Sequence, residues 1–189
     1  VTAYLVPAQA GAQFISLFIY ATIARWYVAP WLKSRSRTDA LIALLWVHVF
    51  RYIALQAFSA QRGGFPISDA GVMEIVIGDL GGAILAFITI VLLRYRAGIA
   101  IPLAWVLVLE TVYDTVSNIR GGMREHLMGA AAGVTWLVLV FFVPMIIVSL
   151  VLLVWQLHTR RSEALAVTIS RRPDANEARI LPAGQPASG

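Results

Sequence analysis

Glu110, Tyr113, Asp114, Ser117 and Asn118 recur at i, i+3, i+4, i+7 and i+8. That spacing puts two carboxylates, a phenol, a hydroxyl and an amide on one side of a helix whose other residues are largely Leu and Val. A second stripe, His48, Arg51, Tyr52, Leu55 and Ser59, carries an imidazole and a guanidinium in a similarly apolar setting. In a third run, Glu74, Gly78, Gly81 and Gly82 share one side and Asp79 lies on an adjoining one, the glycines allowing another helix to come close. Carboxylates beside an arginine can form ion pairs, share protons or hold a cation, and a guanidinium can fork onto two of them at once. The spacing predicts that Arg51 pairs with Glu110 or Asp79. Asp79, Glu110 and Asp114 against Arg51 leave a formal charge of about −2, which protons, a bound cation or a cationic His48 would offset. The contrasting expectation is a network that only fixes helix packing, with Arg120 and Arg124 bending inward to neutralise Asp114.

The runs that carry these residues give them their weight. The chain has 189 residues, 59% hydrophobic and 13% charged, with a mean hydropathy of +0.77. That is too apolar for an ordinary soluble domain. A bilayer core about 30 Å thick needs about 20 mainly apolar helical residues. Five runs qualify: Leu5 to Tyr27, Ala40 to Phe58, Val72 to Leu93, Ala97 to Ser117 and Leu127 to Trp155. The expected fold is therefore all-α, a polytopic integral membrane bundle of five helices over residues 1–158. Residues 159–189 read as a basic, then Pro/Ala/Gly-rich tail, a short interfacial helix followed by largely disordered chain. Counted at about 1.5 Å per residue from the middle of each run, His48, Arg51, Asp79 and Glu110 fall near one depth, with Asp114 and Glu74 further out. A charge near the bilayer centre costs about 2.5–3.5 kcal/mol, so such residues are expected to turn inward and find partners.

Orientation follows from the basic residues. Arg25, Lys33, Arg35 and Arg37 follow the first run, Arg94 and Arg96 the third, Arg160 and Arg161 the fifth. Those ends are expected to face the cytoplasm of a bacterial inner membrane, with the N-terminus out and the C-terminal tail in. Trp26, Tyr27, Trp31, Tyr95 and Trp155 fall at the same boundary. The basic residues flank apolar runs instead of forming a stripe through polar sequence, which argues against a nucleic-acid partner.

Chemistry is bounded too. With no cysteine, the chain offers no disulfide, thiolate metal site or cysteine nucleophile. His48, Asp79 and Glu110 would form a nitrogen–oxygen donor set, but no metal-spaced motif accompanies them, and neither a metal nor a cofactor is assigned. Gly-Gly pairs beside arginine, at Gly63-Gly64 and Gly121-Gly122, read as tight turns between helices. Gly129 through Gly133 has the spacing of a small-residue helix surface, for packing within the chain or for oligomerisation.

The leading expectation is a proton- or cation-linked transport or channel component. Its ion-binding groups are His48, Arg51, Asp79, Glu110, Tyr113 and Asp114, set in a polar cavity in the outer half of the bilayer. One alternative is a membrane-embedded acid–base enzyme for a lipid or isoprenoid, with Trp46, Trp105 and Tyr113 lining its pocket. Another is an accessory subunit with a structural ion network. The partners expected are the lipid bilayer, a proton, cation or lipid-like ligand, and further copies or a larger membrane complex.

Overall fold

The computed structural model describes residues 4–165. Among them every regular element is helical. Five helices are long and apolar enough to cross a membrane: α1 Leu5–Lys33, α2 Arg37–Arg62, α3 Asp69–Arg94, α4 Ala100–Arg124 and α5 Gly133–Thr159. Residues 166–189, most of the expected tail, lie outside the described residues.

Four of the helices outrun the apolar segments that announce them, and the capping chemistry shows why. Ser36 caps α2 by accepting from the Asp39 N–H at 3.1 Å and donating to the Asp39 carboxylate at 2.7 Å. Ser68 caps α3 by accepting from the Gly71 N–H at 3.0 Å. Helix α1 continues past Tyr27 through Pro30 because a π-helical turn, Ala24–Val28, precedes the proline. The ring of Pro30 would clash with the carbonyl of Trp26, and the wider turn moves that carbonyl aside. The same device, Val138–Phe142 before Pro144, carries α5 past its own proline.

Helix α5 starts later than its apolar run. Leu127 is buried, but the chain does not become helical until Gly133. Gly129 and Gly133 have φ of +80° and +54°, a backbone that a regular helix excludes. A Cβ on Gly129 would lie 2.8 Å from Val6 Cγ2, so this turn packs directly on the start of α1. The expected small-residue helix surface from Gly129 to Gly133 is thus corrected to a turn. Conversely, Gly121 and Gly122 lie inside α4, whereas Gly63 and Gly64 do form a turn, with Gly64 at φ +94°.

Packing runs α1 on α5, α5 on α2, α2 on α3 and α3 on α4, with α4 also touching α5. An apolar core fills the end of the bundle that carries most of the arginines, with Leu32, Leu41, Leu45, Leu93, Leu107 and Leu153 fully buried. A smaller cluster of Ala57, Ile67, Val72, Val76 and Leu127 closes the opposite end. At the basic end Arg160 donates to the carbonyls of Leu32 at 3.3 Å and Arg35 at 2.9 Å. Arg37 donates to the Glu163 carbonyl at 3.0 Å. Residues expected only as charged flanks therefore clamp the end of α5 to the α1–α2 connection.

Candidate functional site

Between the two apolar clusters lies a polar layer built around Arg51. The side chain projects from a 3₁₀ segment of α2, Phe50–Leu55, in which three residues make a turn. Arg51 and Ala54 consequently share the buried side, while Phe50, Tyr52, Ile53 and Leu55 are exposed.

Arg51 is 1% exposed and uses all five of its N–H donors. Nε donates to Asp79 Oδ1 at 2.8 Å. Nη1 donates to Glu110 Oε2 at 2.7 Å and to Thr111 Oγ1 at 3.0 Å. Nη2 donates to Glu110 Oε1 at 3.2 Å and to Asp114 Oδ2 at 2.7 Å. Glu110 thus receives the planar fork, and Asp79 and Asp114 take the flanking donors. The three carboxylate side chains are 19%, 25% and 9% exposed for Asp79, Glu110 and Asp114 respectively. Asn118, one turn beyond Asp114, donates to Asp114 Oδ2 at 3.1 Å.

Helix α3 permits this reach. A Cβ on Gly82 would collide with the Arg51 guanidinium and lie 2.8 Å from Glu110 Oε2, and one on Gly78 would collide with the Asp114 carboxylate. The two glycines, one turn apart, leave the groove in which the charged groups of α2 and α4 meet. Gly71 does the same at the far end of α3, where an added Cβ would lie 2.7 Å from Glu125 Oε1. Glu125 there accepts the backbone N–H and the hydroxyl of Ser68, each at 2.8 Å. Those bonds hold its carboxyl below the usual carboxylate range.

Of the six residues singled out from sequence, four come together: Arg51, Asp79, Glu110 and Asp114. His48 is fully buried, but neither of its nitrogens has a hydrogen-bond partner among the described residues. It therefore stands outside the hydrogen-bonded cluster. Tyr113 is 75% exposed on the outside of α4. At 100° per residue it sits about 100° round the helix from Asp114, beyond the edge of the polar side. Asp114 takes its charge from Arg51, correcting the expectation that Arg120 and Arg124 bend inward. Arg124 points to Glu74 at 3.5 Å and is 67% exposed. Trp46, Trp105 and Tyr113 are exposed on the bundle surface and do not gather round the cluster. Thr111 was missed, although its position next to Glu110 on the buried side of α4 was a usable signal.

The guanidinium occupies the position common to the three carboxylates, so these groups do not present a shared pocket for a metal. Two surface grooves, a largely apolar one between α1 and α5 that Arg25 and Lys33 also line and an apolar one around Ile53, Val134 and Phe141, do not include the cluster.

Fold and site together define, among the described residues, an all-helical bundle with five helices of membrane-crossing length and an arginine–tricarboxylate cluster between three of them. The chain belongs to the family described as Domain of unknown function (DUF8737), whose model matches residues 9–158 and so takes in every residue of the cluster. Neither the curated proteins nor the solved structures contain a match to it.

Proposed function

We propose that this is a multi-pass membrane protein whose Arg51–Asp79–Glu110–Asp114 cluster holds exchangeable protons, as part of a proton-linked transport or channel component. In this reading the basic end of the bundle faces the cytoplasm and the cluster lies toward the outer side. The observation that carries the reading is three carboxylates converging on one arginine with no second cation among their partners in the described residues. One guanidinium offsets one carboxylate, and the two that remain cannot both stay charged at such short range without a proton or an incoming cation. A protonated carboxyl also needs somewhere to donate. Asn118 Oδ1 is buried and has no partner among the described residues, and turning that amide over would present it to a protonated Asp114. Apolar clusters lie on both sides of the charged layer, and the one away from the basic end is the thinner, five buried residues against fifteen, so in this reading exchange is toward that end.

The saturation of Arg51 favours a second reading, a structural ion network in an accessory subunit. Infrared difference spectroscopy separates the two. A pH jump on the protein in lipid should move a protonated-carboxyl C=O band that disappears in Asp79→Asn, Glu110→Gln or Asp114→Asn. Vesicles containing the protein should then dissipate a proton gradient faster than empty ones, or do so once a partner subunit is added. Absence of any pH-dependent carboxyl band would remove proton exchange and leave the structural network.

A further inference from the structure

We infer that the groove between α1 and α5 is a binding site for an anionic phospholipid. The inference is independent of the proton-holding cluster and uses a different part of the molecule. The groove has a volume of about 1090 Å³, beyond the about 300–1,000 Å³ of sites that enclose a drug-sized ligand. Its walls are Leu17, Ala21 and Ala24 of α1 and Val148, Val151 and Leu152 of α5, an apolar slot suited to hydrocarbon. Alanines on α1 stand where larger side chains would have closed the gap to α5. The π-helical turn of α1, Ala24–Val28, lies within the groove, so α1 is not a regular rod along this contact.

The charge along the basic half of the slot points to the occupant. Arg25 and Lys33 line it together with Trp26 and Trp155, and among the described residues no acidic one does. Lys33 Nζ lies 5.6 Å from the centroid of the Trp155 ring, which places an ammonium from α1 against α5 across the groove. Arg25 and Trp26 midway along the slot and Lys33 and Trp155 at its basic end suit a phosphate held between guanidinium and ammonium, with acyl chains against Leu17, Ala21 and Val148. An anionic lipid offsets one of the two positive charges, a zwitterionic lipid brings its own ammonium beside them and offsets none, and an apolar helix would leave both unpaired.

Native mass spectrometry of the full chain released from nanodiscs of equal phosphatidylglycerol and phosphatidylcholine tests this. Wild type is expected to retain phosphatidylglycerol over phosphatidylcholine by about five- to twenty-fivefold, one factor of about five for each basic side chain. Arg25→Gln combined with Lys33→Gln should bring the ratio close to one. Ala21→Trp, at an exposed position, should fill the slot and reduce retention of both lipids, with helical circular dichroism unchanged in all three proteins. Equal retention of the two lipids by wild type would overturn the proposal, as would a preference that survives the double substitution. So would a dimer that Ala21→Trp disrupts, since a second copy would then be the occupant.

Discussion

Arg51→Met takes away five hydrogen-bond donors and the positive charge shared by α2, α3 and α4, while leaving a side chain of similar length to fill the space. Removing one partner from a buried ion pair costs about 3–5 kcal/mol, because the group left behind stays charged and unpaired. Three carboxylates lose their partner here, but they are 9–25% exposed, so solvent and proton uptake limit the penalty. The expected loss is about 3–5 kcal/mol, a factor of about 10² to 10³·⁵ in the folded ratio at 1.4 kcal/mol per decade. Unfolding in mixed micelles with increasing dodecyl sulfate, followed by far-ultraviolet circular dichroism, measures it. The control is the variant that also carries Asp79→Asn, Glu110→Gln and Asp114→Asn, in which no charge remains. Replacing every member of such a network is often close to neutral, so it should recover most of the loss. An Arg51→Met protein as stable as wild type would refute the claim that the guanidinium ties the three helices. A fully neutralised variant as unstable as the single one would assign the loss to packing and not to charge.

Gly82→Ala is expected to destabilise by about 1–3 kcal/mol in the same titration, because its Cβ must push against Arg51 and Glu110. Gly81→Ala, one position away with nothing within 4 Å, should be neutral or gain about 0.4–1 kcal/mol, so equal effects at the two sites would discount the close approach. For Glu125 the sign follows from a folded-state pKa held below its ordinary value by Ser68. The stability it contributes is present above the unfolded value of about 4.3 and is lost as pH falls through the lower folded value. Glu125→Gln should therefore flatten the acid limb of a stability–pH profile, and an unchanged limb would show that the Ser68 bonds do not persist in solution.

The cluster was largely readable because charge is scarce inside apolar runs. Once Arg51, Asp79 and Glu110 are placed at one depth, each has few other partners to choose from. Gly78 and Gly82 were readable for the same reason, since small residues beside charge on one helix imply close approach by another. Asp114's partner was not, because spacing gives the side of α4 but not the span of a guanidinium with five donors. Tyr113 failed at the margin, as an i+3 residue shares a side with Glu110 yet diverges from Asp114. The late start of α5 was hidden because Leu127 to Ala132 has the composition of a helix. What breaks it is the positive φ at Gly129 and Gly133, a property of backbone conformation and not of hydropathy. The π-helical turns were equally invisible, although Pro30 and Pro144 mark where irregularity would be needed.

The docking of α1 on α5 also sets an order of assembly. Helix α1 packs on α5, and about 126 residues, from 33 to 159, separate their ends. At about 5–20 residues per second of synthesis, α1 waits roughly 6–25 s after it emerges before its neighbour exists. During that interval α2, α3 and α4 can already join around Arg51, so the charged layer is completed before the bundle is closed. A chain stopped before Gly133 would keep the charged layer and leave its first helix with nothing to dock on. Premature termination should thus yield a recognisable partial product, a joined three-helix unit with α1 loose beside it and exposed to whatever surveys the membrane for orphaned segments.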